Sequence, residues 1–184
     1  MTTATTTVAP AGTWNIDASH SKVGFAVKHL GIATVRGEFK QFEGTFEIGE
    51  DLGTSRAYGV VKAASVDTNE PARDEHLRSA DFFDAEVNGD LTFRSTAIEA
   101  LDDETLRITG DLTINGITRS EVFHAEIQGT ETDPWGNERV GLEITGQISR
   151  GDYDMKFNQA LGSGNKVVGD KVKITLDVSA VKAA

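Results

Sequence analysis

Leu106-Arg107-Ile108-Thr109-Gly110-Asp111-Leu112-Thr113-Ile114-Asn115-Gly116 is the stretch that decides the fold. Leu106, Ile108, Leu112 and Ile114, with Gly110 among them, alternate strictly with Arg107, Thr109, Asp111 and Thr113, the two-residue period of a strand with one buried face. Asn115-Gly116 follows at once, a pair suited to the positive φ angles of a type I′ turn. Phe123, Ala125 and Ile127 then share a face, so 106–128 reads as a β-hairpin.

The same alternation returns on both sides of this hairpin. Val140, Leu142, Ile144, Gly146 and Ile148 mark one strand, and Val172, Ile174, Leu176, Val178 and Ala180 mark another. Upstream, Val23, Phe25 and Val27 repeat the pattern, as do Val87, Gly89, Leu91, Phe93, Ser95 and Ala97. Between Thr34 and Ile48 the apolar parity changes from odd (Val35, Phe39) to even (Phe42, Phe46, Ile48), which predicts one long strand with a bulge near Gln41. Ser55–Val66 completes a set of about eight strands.

Thr68–Asp84 carries the one strong helical signal. Pro71 suits a first helical turn, Glu70, Asp74 and Glu75 complement the positive end of the helix dipole, and Asp74 precedes Arg78 by four residues. Leu77, Ala80 and Phe83 form a narrow apolar stripe, so a short α-helix is expected near residues 71–79, placed as a lid at one mouth of the sheet. One such helix cannot cover eight half-apolar strands, so the sheet must cover itself. Pro10, Pro71 and Pro134 all fall outside the strands, which favours an all-β closed barrel over a sandwich. Gly37, Gly89, Gly110 and Gly146 lie on the apolar faces with Ser95, Ala97 and Ala125. These small residues mark either strong curvature or an interior that is not filled.

The 184 residues fit one domain over 13–184 behind a flexible tail over 1–12. That tail has no basic region or apolar run of signal-peptide length, and no transmembrane segment is visible, so a cytoplasmic protein is expected. A formal charge of −11, with Lys and Arg scattered, opposes binding to nucleic acid or to an anionic membrane surface. The absence of cysteine removes disulfides, thiolate metal sites and a Cys nucleophile.

Motifs for chemistry are sparse. Asp17-Ala18-Ser19-His20-Ser21 holds the residue types of a catalytic set, at a spacing more typical of a local Asx-turn. His20, His29, His76 and His124 show no metal-site spacing, and no metal or cofactor is expected. A nucleophile elbow, a phosphate loop and a nucleotide fingerprint are all missing, and Gly162-Ser163-Gly164-Asn165 lacks the Lys-Ser/Thr of a P-loop. Arg73, Asp74 and His76 on the lid helix suit either a polar ligand group or ordinary surface pairing.

Taken together, several ordered blocks carry a resemblance. They are Trp14-Asn15-Ile16-Asp17 with His20-Ser21, Phe25-Ala26-Val27-Lys28-His29-Leu30-Gly31, Gly37-Glu38-Phe39 with Phe42-Glu43-Gly44, and Ala64-Ser65-Val66-Asp67-Thr68. Arg73-Asp74-Glu75-His76-Leu77-Arg78 with Phe82-Phe83-Asp84, Phe93-Arg94-Ser95, the 110–118 stretch and Ser149-Arg150 complete them. In these the chain resembles the YceI-like proteins, lipocalin-like polyisoprenoid-binding barrels of bacteria, over Thr13–Val181. The resemblance implies an extended antiparallel up-and-down barrel whose pore holds a long isoprenoid or similar amphiphile, with its head near the mouth and no catalysis. Many such relatives are periplasmic, in contrast to the cytoplasmic expectation here.

The expected function is therefore non-enzymatic binding, storage or transport of a long isoprenoid lipid of polyprenyl phosphate or quinone type, with a homodimer an allowed assembly. The expected pore lining is Phe25, Val27, Val35, Phe39, Leu91, Phe93, Leu112, Ile144 and Ile148, with Phe82 and Phe83 closing one end. The expected head-group residues are Arg73, His76, His29 and Arg36. Two rivals stand beside this reading: a lipid-modifying enzyme using Asp17, His20, His29 or Asp74, and a stress or interaction protein with a packed barrel.

Overall fold

The computed structural model describes residues 9–184; of the tail expected over 1–12, residues 1–8 lie outside the described residues. The strand segments are β1 (Gly12–Ile16), β2 (Lys22–His29), β3 (Ala33–Phe39), β4 (Phe42–Ile48), β5 (Arg56–Lys62) and β6 (Val66–Asp67). After helix α1 (Pro71–Arg78) come β7 (Asp90–Ala100), β8 (Thr105–Ile114), β9 (Ile117–Thr132), β10 (Glu138–Ser149) and β11 (Val168–Lys182).

These segments make eight barrel staves. A short 3-10 turn at Ala18–His20 divides the first stave into β1 and β2, and Lys40-Gln41 divides the second into β3 and β4. Another turn at Ala63–Ser65 divides the third into β5 and β6. β4 pairs with β1 and β5, while β3 pairs with β2 and β6, so the first two staves keep their neighbours across the break, whereas the third keeps β7 only along β5. The chain then runs β5–β7–β8–β9–β10–β11, every pair antiparallel, and β11 closes the ring against β2 and, at its far end, against β1. The ring β1–β4–β5–β7–β8–β9–β10–β11 is closed, whereas at the lid end β6 pairs with β3 alone and the barrel is left open there.

Local chemistry explains the turns. Asn115 and Gly116 both take positive φ, 55° and 73°, as the type I′ turn between β8 and β9 requires. Pro71 occupies the start of α1, where its missing N–H costs nothing. Asp74 is buried and reaches back to accept from the Thr68 backbone N–H (2.8 Å) and hydroxyl (2.6 Å), which fastens the helix to the end of β6.

Four sequence expectations need correction. Val87 lies in a turn with 75% exposure and β7 begins only at Asp90. Its alternation also breaks at a bulge between Ser95 and Ala97, so Ile98 rather than Ala97 faces the core. In the lid, Asp74 does not pair with Arg78, whose Nε donates to the Ala64 carbonyl instead (3.1 Å). Ala80 is exposed beyond the helix end, leaving Leu77 and Phe83 to pack inward.

The two barrel ends differ. α1, the Leu30–Ile32 turn, the Asn115-Gly116 turn and the 150–167 connection gather at one end, tied by Asn88 to Asn115 (3.1 Å), Asn115 to the Tyr153 carbonyl (3.1 Å) and Asn165 to the Leu30 carbonyl (3.1 Å). At the other end Trp14, Ala125, Val140 and Ala180 are essentially inaccessible, with Ile98, Leu106 and Leu142 nearly so. This packed floor is capped by Trp14, whose indole N–H donates to the Pro10 carbonyl (2.9 Å).

Candidate functional site

Inward-facing positions between floor and lid do not fill the barrel. A chamber of about 270 Å³ lies under α1, and a second of about 170 Å³ lies deeper. Phe25, Phe39, Leu91, Ile114 and Ile174 border both and make a waist between them. Phe39 stands at the centre of this waist, its ring 5.6 Å from that of Phe25 and 5.5 Å from that of Phe83.

The interior glycines have a specific role in shaping this space. A Cβ on Gly37 would come within 2.4 Å of the Phe25 ring, one on Gly110 within 2.4 Å of Phe93, and one on Gly146 within 2.4 Å of Phe123. Each glycine is a seat for a neighbouring strand's aromatic ring. Flattening these rings against the wall draws aromatic bulk away from the axis, so small residues and large ones on one face together leave a pore.

The residues expected to line a pore all border one of the chambers. Val27, Val35, Ile148, Phe82 and Phe83 line the outer one, Phe93, Leu112 and Ile144 the inner one, and Phe25, Phe39 and Leu91 both. Of the expected head-group residues, His29, Arg73 and His76 border the outer chamber. Arg36 does not. It pairs across to Ala26 on the outer parity of β3, opposite to the inward pair of Val35 and Val27, and it is exposed on the barrel's outside.

Contacts hold the lid residues in set orientations. Arg73 donates from Nε to the Thr68 hydroxyl and from Nη2 to the Thr68 carbonyl, both at 2.8 Å. His76 bonds Asp81 through Nε2 (2.8 Å) and meets Phe82 and Phe157 edge-on at 5.1 and 4.7 Å. The lid is thus a seam between α1 and the 150–167 connection. Sequence reasoning misses Met155 and Phe157 in that connection, because the segment has no period to read.

Sequence reasoning also misses Arg150, although a signal for it exists. It occupies the next inward position after Ile148 on the parity of β10, and it ends up 5% exposed in the wall of the outer chamber. Nε donates to the Gly169 carbonyl (2.8 Å), Nη1 to that of Met155 (2.5 Å) and Nη2 to that of Val168 (3.2 Å). Beside it Tyr153 is fully buried and donates to Glu121 (2.8 Å); burial pushes its phenol well above the ordinary range.

The residues of the rival catalytic set are dispersed. Asp17 accepts from Ser19 and bonds His20 Nδ1 (2.8 Å), and Arg139 Nη1 donates to its Oδ2 (3.0 Å). These bonds, from Ser19 most of all, hold the Asp17 carboxyl well below the usual carboxylate range. Its own backbone N–H donates to the Ser179 carbonyl, so the cluster pins the break between β1 and β2 to β10 and β11. Neither Asp17, His20 nor Asp74 borders a chamber, and His29 stands apart from them at the mouth.

Comparison with known proteins gives a consistent result. The profile of the YceI-like domain matches residues 14–180. Protein YceI of Escherichia coli O157:H7 is 41% identical over 151 residues, which cover 80% of this chain and 78% of that protein. The YCEI protein of Campylobacter jejuni, solved by crystallography, is 30% identical with a TM-score of 0.73, covering 85% of this chain and 90% of that one. A polyisoprenoid-binding domain from Saccharophagus degradans, implicated in plant cell wall breakdown, shares the fold at 14% identity, with a TM-score of 0.70 over 92% of this chain and 98% of that one.

Proposed function

The chain belongs to the YceI-like family, and on that premise we propose that it is a non-enzymatic carrier or store for a long isoprenoid-type amphiphile, held along the barrel axis with its head under α1. The observation that carries this reading is the pair of chambers on either side of the Phe25–Phe39–Leu91 waist, which lines both. Their walls are almost wholly apolar, and together they form an elongated space suited to a chain rather than to a compact solute. Each methylene-sized group that leaves water for such a wall contributes about 0.8 kcal/mol, so several prenyl units outweigh the cost of association. The polyisoprenoid-binding domain of Saccharophagus degradans supports the same class of ligand. A fully packed barrel acting through its outer face does not fit a hollow interior, and of the residues named for a lipid-modifying enzyme Asp17, His20 and Asp74 border neither chamber.

Two measurements test this. Mass spectrometry of the organic extract from protein purified from its native host should reveal one long-chain amphiphile, and delipidated protein should bind polyprenols with affinity that rises with chain length. Protein that carries no lipid and binds no polyprenol of any length overturns the reading. A mass change in the lipid after prolonged incubation with the protein overturns its non-enzymatic part.

A further inference from the structure

The wall of the outer chamber has a charge that the rest of the molecule does not. The chain has 29 Asp and Glu against 18 Lys and Arg, yet the chamber is bordered by Arg73 and Arg150, with His29 and His76, and by no carboxylate among the described residues, while Lys28 beside it turns its ammonium outward to Thr34. Arg150 is the most deeply placed of these. A guanidinium has five N–H groups, and three are taken by the carbonyls of Gly169, Met155 and Val168, none by a carboxylate. Asp170 opposes the burial electrostatically, but its Oδ1 accepts from the Gly151 N–H and it makes no ion pair with Arg150. A buried cation satisfied only by neutral carbonyls is costly, and a neutral donor would clamp the same three carbonyls without that cost.

We propose that Arg150 is the counter-charge for an acidic lipid head, phosphate or carboxylate, drawn into the outer chamber. This rests on the carrier reading and specifies its ligand: an anionic amphiphile in preference to a neutral quinone or alcohol. The two N–H groups of Arg150 left by the carbonyl clamp receive the acid's oxygens in a dry setting, where charge-assisted bonds are strongest. Arg73 supplies the same sign nearer the rim. The acidic exterior then has a consequence for selectivity, since the acid is attracted only once it is inside the mouth.

The test compares three ligands with the same twenty-carbon tail, geranylgeranyl phosphate, geranylgeranoic acid and geranylgeraniol, on the full chain. The wild-type protein should bind one or both acids roughly ten- to a hundredfold more tightly than the alcohol. Arg150→Gln, whose amide still donates, should bring that ratio close to one, and Arg150→Lys should keep part of it. Equal binding of acids and alcohol by the wild type overturns the proposal while leaving the carrier reading intact. Binding of none of them removes both. A ratio lost in Arg73→Gln but kept in Arg150→Gln also overturns it. If the Arg150 variants do not fold, a crystal structure of the wild type with geranylgeranyl phosphate decides: phosphate oxygens within hydrogen-bond distance of Arg150 support the assignment, and a head held at Arg73 or outside the mouth overturns it.

Discussion

Replacing Phe39 by tryptophan narrows the waist between the chambers and should shorten the longest chain that the pore accepts. Phe39 is 7% exposed, borders both chambers, and is fixed by Phe25 and Phe83 at 5.6 and 5.5 Å, so the larger ring has nowhere to go except across the axis. Overpacking of this kind costs roughly 1–3 kcal/mol of stability, which a barrel with an independently packed floor should tolerate. The effect on binding is larger. One five-carbon prenyl unit kept out of the inner chamber forfeits about 4 kcal/mol at ~0.8 kcal/mol per methylene-sized group, or several hundredfold in affinity as an upper bound. The assay is an affinity series over polyprenols of increasing length. Wild-type affinity should rise until both chambers are filled, whereas Phe39→Trp should level off at least one prenyl unit earlier and match the wild type for the shortest chains. A folded variant with the wild-type plateau refutes the two-chamber path.

Gly110→Ala should cost roughly 1–3 kcal/mol in urea unfolding, since its Cβ would lie 2.4 Å from the Phe93 ring and 2.5 Å from the Arg94 carbonyl oxygen, while Gly162→Ala, with nothing within 4 Å, should be near neutral; equal midpoints for the two would remove the seating role of Gly110. Asp74→Ala strands the two Thr68 donors and should cost roughly 1–3 kcal/mol, with amide exchange accelerating in 71–78 before it does in β8; unchanged exchange there would show that this carboxylate does not fasten the lid. Arg139, followed by the Asn137 and Trp135 donors, holds Asp133 at about 2 against an ordinary 3.8. The stabilisation from this depressed carboxyl is therefore whole above pH 3.8 and is lost as pH falls toward 2. Thermal unfolding of the wild type should steepen across that window, and Arg139→Met should flatten it; parallel profiles would count against the pairing.

Strand parity makes most of this molecule legible in the amino-acid sequence. The parity change between Phe39 and Phe42 is real, but the bulge it suggests is a full break at Lys40-Gln41, with β3 and β4 taking different partners, whereas Asn115-Gly116 announces its turn directly because that signal is local and rests on φ alone. Parity also assigns every expected strand residue of the pore to a chamber wall. It fails where another rule intervenes: the bulge after Ser95 moves Ile98 inward, and Val87, on the parity of β7, is held in a turn by its N–H to the Asp84 carbonyl. Arg36 lies close in sequence to the 30–32 turn, which suggests the mouth, but its parity on β3 turns it outward, and parity prevails. Met155 and Phe157 are beyond the reach of such patterns, because a long connection without a period shows its contacts only once the chain is closed.

The division of the barrel into a packed floor and a hollow upper part explains how the protein can keep an unfilled interior at all. Trp14, Val140, Ala125 and Ala180 close the floor at or below 1% exposure, whereas Val23, Phe25, Val27, Leu91, Phe93, Val172 and Ile174 are only half-buried because they face the chambers. Apolar side chains that border a void lose the contacts a filled core would give them, so the upper staves contribute less to stability than their composition suggests. The ladder hydrogen bonds of the closed ring and the floor must supply the difference. A ligand chain in the pore restores those contacts, and its binding should therefore raise the unfolding temperature in proportion to how far it reaches past the Phe39 waist. Polyprenols too short to pass the waist should stabilise only the lid end, which hydrogen exchange in α1 against exchange in β8 can resolve; equal protection of both segments by short and long chains would show that occupancy of the inner chamber carries no stabilisation of its own.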